Sequence, residues 1–406
     1  MRIGALRAAA KAIWRAARVD EMPTREPAEP YWASGRGNLA PRTLARSNEE
    51  NPIFHGLWAA GTLAVTVLLV LLGGGCAPTP APGVSGASGG PGASGASAAP
   101  TGPAAVAHVA VAGMKGPTGM GLARLMDAQA AGEPAAGSVA FDVTLSGSAD
   151  AITPKLVDGS VPIAAVPVNL AAVLYAKTGG QVQLAAVNTL GVLHVVAKGP
   201  AAASIRSVAD LAGRTVWSTG KGTTPEYVLS HLLERAGVAD EVDVQYLSEA
   251  SEVASRLAAA DAGVAVLPEP YVTTVIAKDP AIAPVVDLTQ AWSDADPGAQ
   301  LVTGALVVNK AWVAGHAVQF AAFRAAYQAS IEFAVSDPTA AGALIAKAGI
   351  VPDAAVAAQA IPRCHLVYLT GAPARTAVQG YLEVLHAANP AAVGGTLPDD
   401  GFFWAE

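Results

Sequence analysis

From residue 106 onward, short apolar runs alternate with segments whose apolar residues recur at helical spacing. The runs 109–112, 141–145, 163–166, 182–187 and 191–197 predict strands. Between them, 114–119 predicts a loop, 120–131 a helix with Leu122, Leu125 and Met126 on one face, and 152–157 a short helix. The strand at 163–166 stops at Pro167, where Asn169 is expected to cap a helix running through Tyr175. A second series follows: helix 207–211, strand 215–218, helix 226–236, strand 242–246, helix 249–260 and strand 263–267. A strong strand at 301–309 comes next, and the chain from 318 on predicts mainly helix. Repeated strand–loop–helix units imply parallel sheets with helices on both faces. The reading is therefore α/β, with lobe one at 106–197 and 301–406 and lobe two at 198–300. A two-strand hinge at about 190–197 and 301–309 joins the lobes, and a cleft separates them.

The segments ahead of residue 106 have another character. Residues 53–72 form an uncharged apolar run, followed by Gly73-Gly74-Gly75-Cys76 and an Ala/Gly/Ser/Pro tract at 77–105. Apolar run, small residues, lone cysteine and flexible tether resemble a bacterial lipoprotein signal, with the lipid on Cys76. The alternative is a signal-anchor helix, for which about 20 residues suffice. Gly73 occupies the place where a lipobox usually has Leu. The head at 1–52 is longer than an ordinary signal n-region. It carries Arg2, Arg7, Lys11, Arg15 and Arg18 at helical spacing, which fits an inner-leaflet amphipathic stretch. An overlong start, with the true one at Met22 or later, accounts for it equally. Either anchor places the body on the extracytoplasmic face of the cell membrane.

Charge sharpens this division. The first 100 residues hold nine basic and six acidic groups of the chain's 25 and 32, so the remainder carries 16 against 26, a net of −10. Such an acidic body lacks the electrostatic footprint of a nucleic-acid binder. The chain has two cysteines, and Cys364 has no internal partner if Cys76 is lipidated. It reads as a buried apolar residue. No Cys/His pair stands at zinc spacing, and neither a metal nor a cofactor is expected.

Three loops have the composition of ligand loops beyond strand ends: Lys115-Gly116-Pro117-Thr118-Gly119, Pro167-Val168-Asn169, and Gly220-Lys221-Gly222-Thr223-Thr224-Pro225-Glu226. Each alone reads as a helix cap and turn; in matching places in two lobes they suggest a shared cleft. The third lacks the Gly-x-x-x-x-Gly-Lys-Ser/Thr spacing of a phosphate loop, which excludes a nucleotide hydrolase.

These stretches, with Leu267-Pro268-Glu269-Pro270-Tyr271, Gly380-Tyr381-Leu382-Glu383 and Gly394-Gly395-Thr396-Leu397-Pro398, resemble the extracellular solute-binding proteins of ABC importers. The branch they resemble is the nitrate/sulfonate/taurine type, NMT1/thiamine-precursor-like. The resemblance implies a type II periplasmic-binding-protein fold, monomeric, that closes over one small molecule and delivers it to an ABC permease and its ATPase. Carried over by position, lobe one would offer Lys115, Gly116, Pro117, Thr118, Asn169, Asn188 and Thr303. Lobe two would offer Lys221, Gly222, Thr223, Thr224, Glu269 and Tyr271. Lys115 and Lys221 would attract an anionic head. Glu269 would repel a bare anion or hold an ammonium, and no arginine clamp is evident. Tyr175, Trp217, Tyr227 and Tyr271 are candidates to stack on a ring. The implied ligand is a small organic anion or zwitterion.

Two other function classes compete. An enzyme on this fold, making a pyrimidine precursor, would need a nucleophile or a His and metal constellation. His194, His231, His316, His365 and His386 stand isolated outside the ligand loops, and His108 lies on the first strand, so no catalytic residue is assigned. A membrane-tethered ligand sensor is the third reading, but no signalling domain flanks the body.

Overall fold

A computed structural model describes residues 106–405. The head, the apolar run, Cys76 and the tether lie outside the described residues. Every predicted apolar run between 109 and 309 forms a strand. In chain order these are β1 (Ala107–Met114), β2 (Val139–Ser146), β3 (Ile163–Pro167), β4 (Val182–Leu190), β5 (Leu193–Lys198), β6 (Thr215–Ser218), β7 (Asp243–Tyr246) and β8 (Gly263–Pro268). β9 (Ile282–Asp287), β10 (Val302–Asn309) and β11 (Leu366–Leu369) complete the set. They sort into two sheets, ordered β11-β4-β10-β3-β1-β2 and β7-β6-β8-β5-β9.

The sheets are mixed rather than parallel. β10 runs antiparallel to β3 and β4, and β5 runs antiparallel to β8 and β9. The cause is the crossing between lobes. β4 ends at Leu190, and the chain enters the second sheet at Leu193, opposite Pro268 at the end of β8. β10 returns in the same manner, with Gly304 opposite Pro167 at the end of β3. A strand that enters at the cleft end must run away from it. β5 therefore belongs to the second sheet, and the first crossing is residues 191–192, so the predicted lobe boundary at 197 falls one strand late.

Two strands escaped the sequence reading. β9 contains Pro284 and lies at a sheet edge, where a missing N–H costs no ladder bond. β11 interrupts the predicted helical tail as an edge strand on β4. Its Leu-Val-Tyr-Leu run carries the β-branched and aromatic residues that favour a pleated surface.

The principal helices are α1 (Ala123–Ala131), α2 (Val168–Lys177), α3 (Thr224–Ala236), α4 (Ala250–Ala259), α5 (Tyr271–Lys278), α6 (Leu288–Ala295), α7 (Ala317–Ser336), α8 (Pro338–Lys347), α9 (Ala354–Ala360) and α10 (Gly371–Ala388). α7 buries Phe320, Phe323, Tyr327, Ile331 and Ala334 at helical spacing, and the Phe323 ring meets Phe141 edge-on with centroids 5.2 Å apart. One core lies between the first sheet and α7–α9. Another covers that sheet's opposite face and continues into lobe two through α3, α6 and α10. A third packs α4 and α5 on the second sheet. Cys364 is fully buried, as expected, and burial pushes its thiol well above the ordinary range. Among the described residues no helix is long and apolar enough to cross a membrane.

Polar groups gather where the lobes join. His365 Nδ1–H donates to Gly191 O at 2.5 Å, and Arg363 Nη1 donates to Thr273 Oγ1 at 3.3 Å. His194 on β5 has its pKa lowered, chiefly by burial; nearby Asp287 and Glu269 oppose the shift, while His365 and Arg363 add to it. With the folded value below the unfolded one, the unfolded chain takes up the proton first as pH falls. This site's contribution is therefore intact above the ordinary histidine value of about 6.5 and is lost as pH falls below it. Urea midpoints taken down through that window should fall more steeply for the natural chain than for His194→Gln. Equal slopes would show that His194 is not the titrating group.

Candidate functional site

The ends of the parallel strands converge on one cavity of about 350 Å³ between the two sheets. β1 delivers Met114, Lys115, Pro117 and Thr118 to it, and the start of β10 delivers Thr303. From the second sheet, the loop after β6 brings Thr219 to Pro225, and the end of β8 brings Pro268 and Tyr271.

Nine of the predicted residues line this cavity: Lys115, Pro117, Thr118, Lys221, Gly222, Thr223, Thr224, Tyr271 and Thr303. The other four stand around it. Gly116 precedes a single helical turn at Pro117–Met120, not the loop expected there, and a Cβ built on it would stand 3.5 Å from Tyr271 Cε2. Asn169 is not a cap. It sits inside the first turn of α2, fully buried, with Pro167 in the cap position. Its Nδ2 donates to Gly222 O at 3.3 Å and Ala392 O at 3.2 Å, while Thr224 Oγ1 donates to its Oδ1 at 3.3 Å. It thus ties the lobes together behind the cavity. Asn188 lies beneath the floor, donating to Thr118 O at 3.4 Å and to Tyr327 Oη at 2.9 Å. Glu269 faces away from the cavity, is 1% exposed, and accepts from Thr273 N at 3.1 Å. It cannot hold a ligand ammonium directly.

Of the four aromatic candidates only Tyr271 reaches the cavity. Trp217 stacks on Arg256, with the guanidinium carbon 4.6 Å from the ring centroid, and Tyr175 bonds Asp399. Burial, then the charge of Glu249, pushes the Tyr271 phenol up to about 12. The group stays protonated at neutral pH and can donate a hydrogen bond.

Two stretches of the wall were missed. Gly147 to Asp150 follows β2, and Leu247-Ser248 follows β7. Both lie just beyond the end of a parallel strand, so the positional rule that found the other loops would have found these. Glu249 reaches across the mouth, and a Cβ built on Gly147 would stand 2.0 Å from its carboxyl carbon.

The interior is unusual in its charge. Its deep wall is threonine, proline and leucine, no arginine lines it, and Lys115, Lys221 and Asp150 lie at the exposed rim. The Thr303 hydroxyl is buried and finds no hydrogen-bond partner among the described residues. In lobe two, three carboxylates that do not line the cavity accept from backbone N–H groups near it. Glu226 accepts from Gly222 N at α3, Glu252 from Ser248 N at α4, and Glu269 from Thr273 N at α5. Among the described residues no group of three or more His, Cys, Asp or Glu is placed to hold a metal ion.

Comparison with known proteins now bears on this geometry. Residues 182–341 match the family model described as NMT1/THI5 like. Among solved structures, the chain is similar to an ABC transporter from Parabacteroides distasonis, with 27% identity, a TM-score of 0.60, and coverage of 73% of this chain and 99% of that one. The alkanesulfonate-binding protein SsuA from Xanthomonas axonopodis pv. citri, bound to MOPS, is 15% identical, with a TM-score of 0.55 and coverage of 70% and 94%. The periplasmic aliphatic sulphonate binding protein SsuA from Escherichia coli is 16% identical, with the same TM-score of 0.55 and the same coverage of 70% and 94%. No curated protein matches the chain. The matched region runs from β4 into α8, so it takes in the whole second sheet and both crossings. The architecture is the type II periplasmic-binding-protein fold, with two α/β lobes and a cavity between them.

Proposed function

We propose that this chain is the extracytoplasmic solute-binding component of an ABC importer. It would hold one small organic molecule between its lobes and present the closed form to a membrane permease and its ATPase. The observation that carries the reading is the cavity itself: both sheets supply its walls, and both interlobe crossings begin at its rim. A ligand there bridges the lobes and stabilises closure. Asn169 already joins the lobes through Gly222 and Thr224, and the Glu249 carboxyl lies close against Gly147. The similar folds of an ABC transporter and of two sulfonate-binding proteins support the same reading. A lipid on Cys76, or a retained apolar helix, would tether the body at the outer membrane face; the chain would act as a monomer.

A thermal-shift screen of the full chain tests this. The panel holds nitrate, alkanesulfonates, taurine, thiamine and pyrimidine precursors, amino acids and aromatic acids. A ligand at 100 times its Kd should add about 2.7 kcal/mol, a rise of several degrees in melting temperature. The expected result is a hit that returns unaltered from the protein. Chemical conversion of the hit would instead mark an enzyme.

A further inference from the structure

We propose that Asn169 is a positioning residue for ligand capture: it clasps the lobe-two ligand loop from behind and fixes the one register in which the cavity closes. The inference rests on the solute-binding reading and gives Asn169 no contact with the ligand.

The start of α2 is apolar except at this residue. Val168, Leu170, Ala171 and Ala172 are buried beside Asn169, which is itself fully buried. An amide in such a seam is costly unless its polar atoms are bonded. Its bonds divide between the lobes. Nδ2 donates once within lobe one, to Ala392 O at 3.2 Å. It donates again to Gly222 O at 3.3 Å, and Oδ1 accepts from Thr224 Oγ1 at 3.3 Å, both in lobe two. Two carbonyls face Nδ2, so only one orientation of the amide satisfies them. The Ala392 bond can hold that orientation by itself. The other two bonds exist only when lobe two sits in this register.

The clasp grips a loop that is already fixed within lobe two. Thr223 N and Thr223 Oγ1 both donate to Gly220 O, at 2.9 and 2.7 Å, and the Glu226 carboxylate accepts from Gly222 N. The loop therefore shifts with its lobe as one piece. Gly222, Thr223 and Thr224 also line the cavity, so a slip behind the loop displaces the cavity wall by the same amount. Apolar packing alone is non-directional and would accept a range of registers. One buried amide rejects them, because any slip leaves its Oδ1 and one of its N–H groups unpaired, as a single buried Asn does in fixing the register of a coiled coil. Closure into the cavity shape seen here then needs no ligand to define it.

Interlobe distances in the ligand-free full chain test this. Nitroxide labels go on Lys155→Cys in lobe one and Ser255→Cys in lobe two, both exposed sites, with Cys76→Ser, and Cys364 is buried. With Asn169 and Thr224 intact, pulsed electron resonance should show a narrow closed-state distance. Asn169→Ala and Thr224→Val should each broaden it and lower the closed-to-open ratio, by about tenfold for Asn169→Ala, which loses both interlobe bonds. Thr224→Ser keeps the hydroxyl and should leave the distance unchanged. Melting curves show that each variant is folded. An unchanged distribution in Asn169→Ala overturns the proposal, whether the lobes prove closed or open. So does a Thr224→Ser chain that opens as far as Thr224→Val. The measurement needs no solute, so a failed clasp is told apart from a failed solute-binding reading, which the ligand screen decides.

Discussion

Gly304→Ala is expected to abolish tight ligand binding while leaving a folded protein. Gly304 lies on β10 opposite Pro167, directly behind the cavity floor. A Cβ there would stand 2.3 Å from Asn188 Oδ1 and 3.1 Å from Thr118 Oγ1 and Thr189 Cβ. Asn188 has little room to yield, because its Nδ2 is shared between Thr118 O and Tyr327 Oη, and Thr189 Oγ1 donates to its Oδ1 at 3.0 Å. The methyl must push Thr118 into the cavity or break that buried network. Overpacking of this kind costs about 1–3 kcal/mol of stability, and a displaced buried polar group adds to it. The same displacement moves a wall residue by a few tenths of an ångström or more, which should raise Kd at least about tenfold. Urea unfolding and titration with the screened ligand read the two effects separately. An unchanged Kd would show that the floor beneath Thr118 does not shape the site.

The second large effect lies just ahead of β10, at the return crossing. Trp292→Ala is expected to cost about 3–5 kcal/mol, a large part of the stability of an ordinary domain. Trp292 on α6 is fully buried, with His231 on one side at 5.2 Å between ring centroids and Tyr381 of α10 on the other at 5.4 Å. Its Nε1–H donates to Ala299 O at 3.0 Å. Beside it, His231 Nε2 meets Asp296 Oδ2 at 2.6 Å and Arg235 Nη2 donates to Ala295 O at 2.7 Å. The ring therefore fills the space between a lobe-two helix, the C-terminal lobe-one helix and the second crossing segment. Trp292→Phe keeps most of the volume and loses the indole bond, so its cost should be nearer 1–3 kcal/mol. Equal losses for Ala and Phe would mean that the bond to Ala299, not the packing, does the stabilising.

Much of the fold was legible because strand and helix periods are local properties. The runs at 109–112, 163–166 and 263–267 are too apolar to be anything but buried strands, and Pro167 and Pro268 mark where they end. The ligand loops were legible for a related reason: small residues, prolines and threonines recur just past strand ends in matching places of the two lobes. The stretches 147–150 and 247–248 lie in the same position beyond a strand end, and Gly147-Ser148-Ala149 has the same small and hydroxyl residues, so both were within reach of that rule.

Other features depended on partners far along the chain. Asn169 looked like a cap because Asn caps helices; what holds it in the helix is Gly222, Thr224 and Ala392, more than fifty residues away. Glu269 looked like a ligand group because it sits between prolines near the cleft, yet its carboxylate turns back to Thr273 N. The sequence reading implied parallel sheets, and the antiparallel course of β5 and β10 was hidden for the same reason, since an apolar run has no polarity of its own until it pairs. The sequence by itself determined where most of the strands, helices and cleft loops lie, because burial pattern and turn chemistry are written within a few residues. Only the tertiary structure decided which polar groups face the cavity and which spend their hydrogen bonds on the chain itself, because that depends on atoms brought within 3 Å by packing.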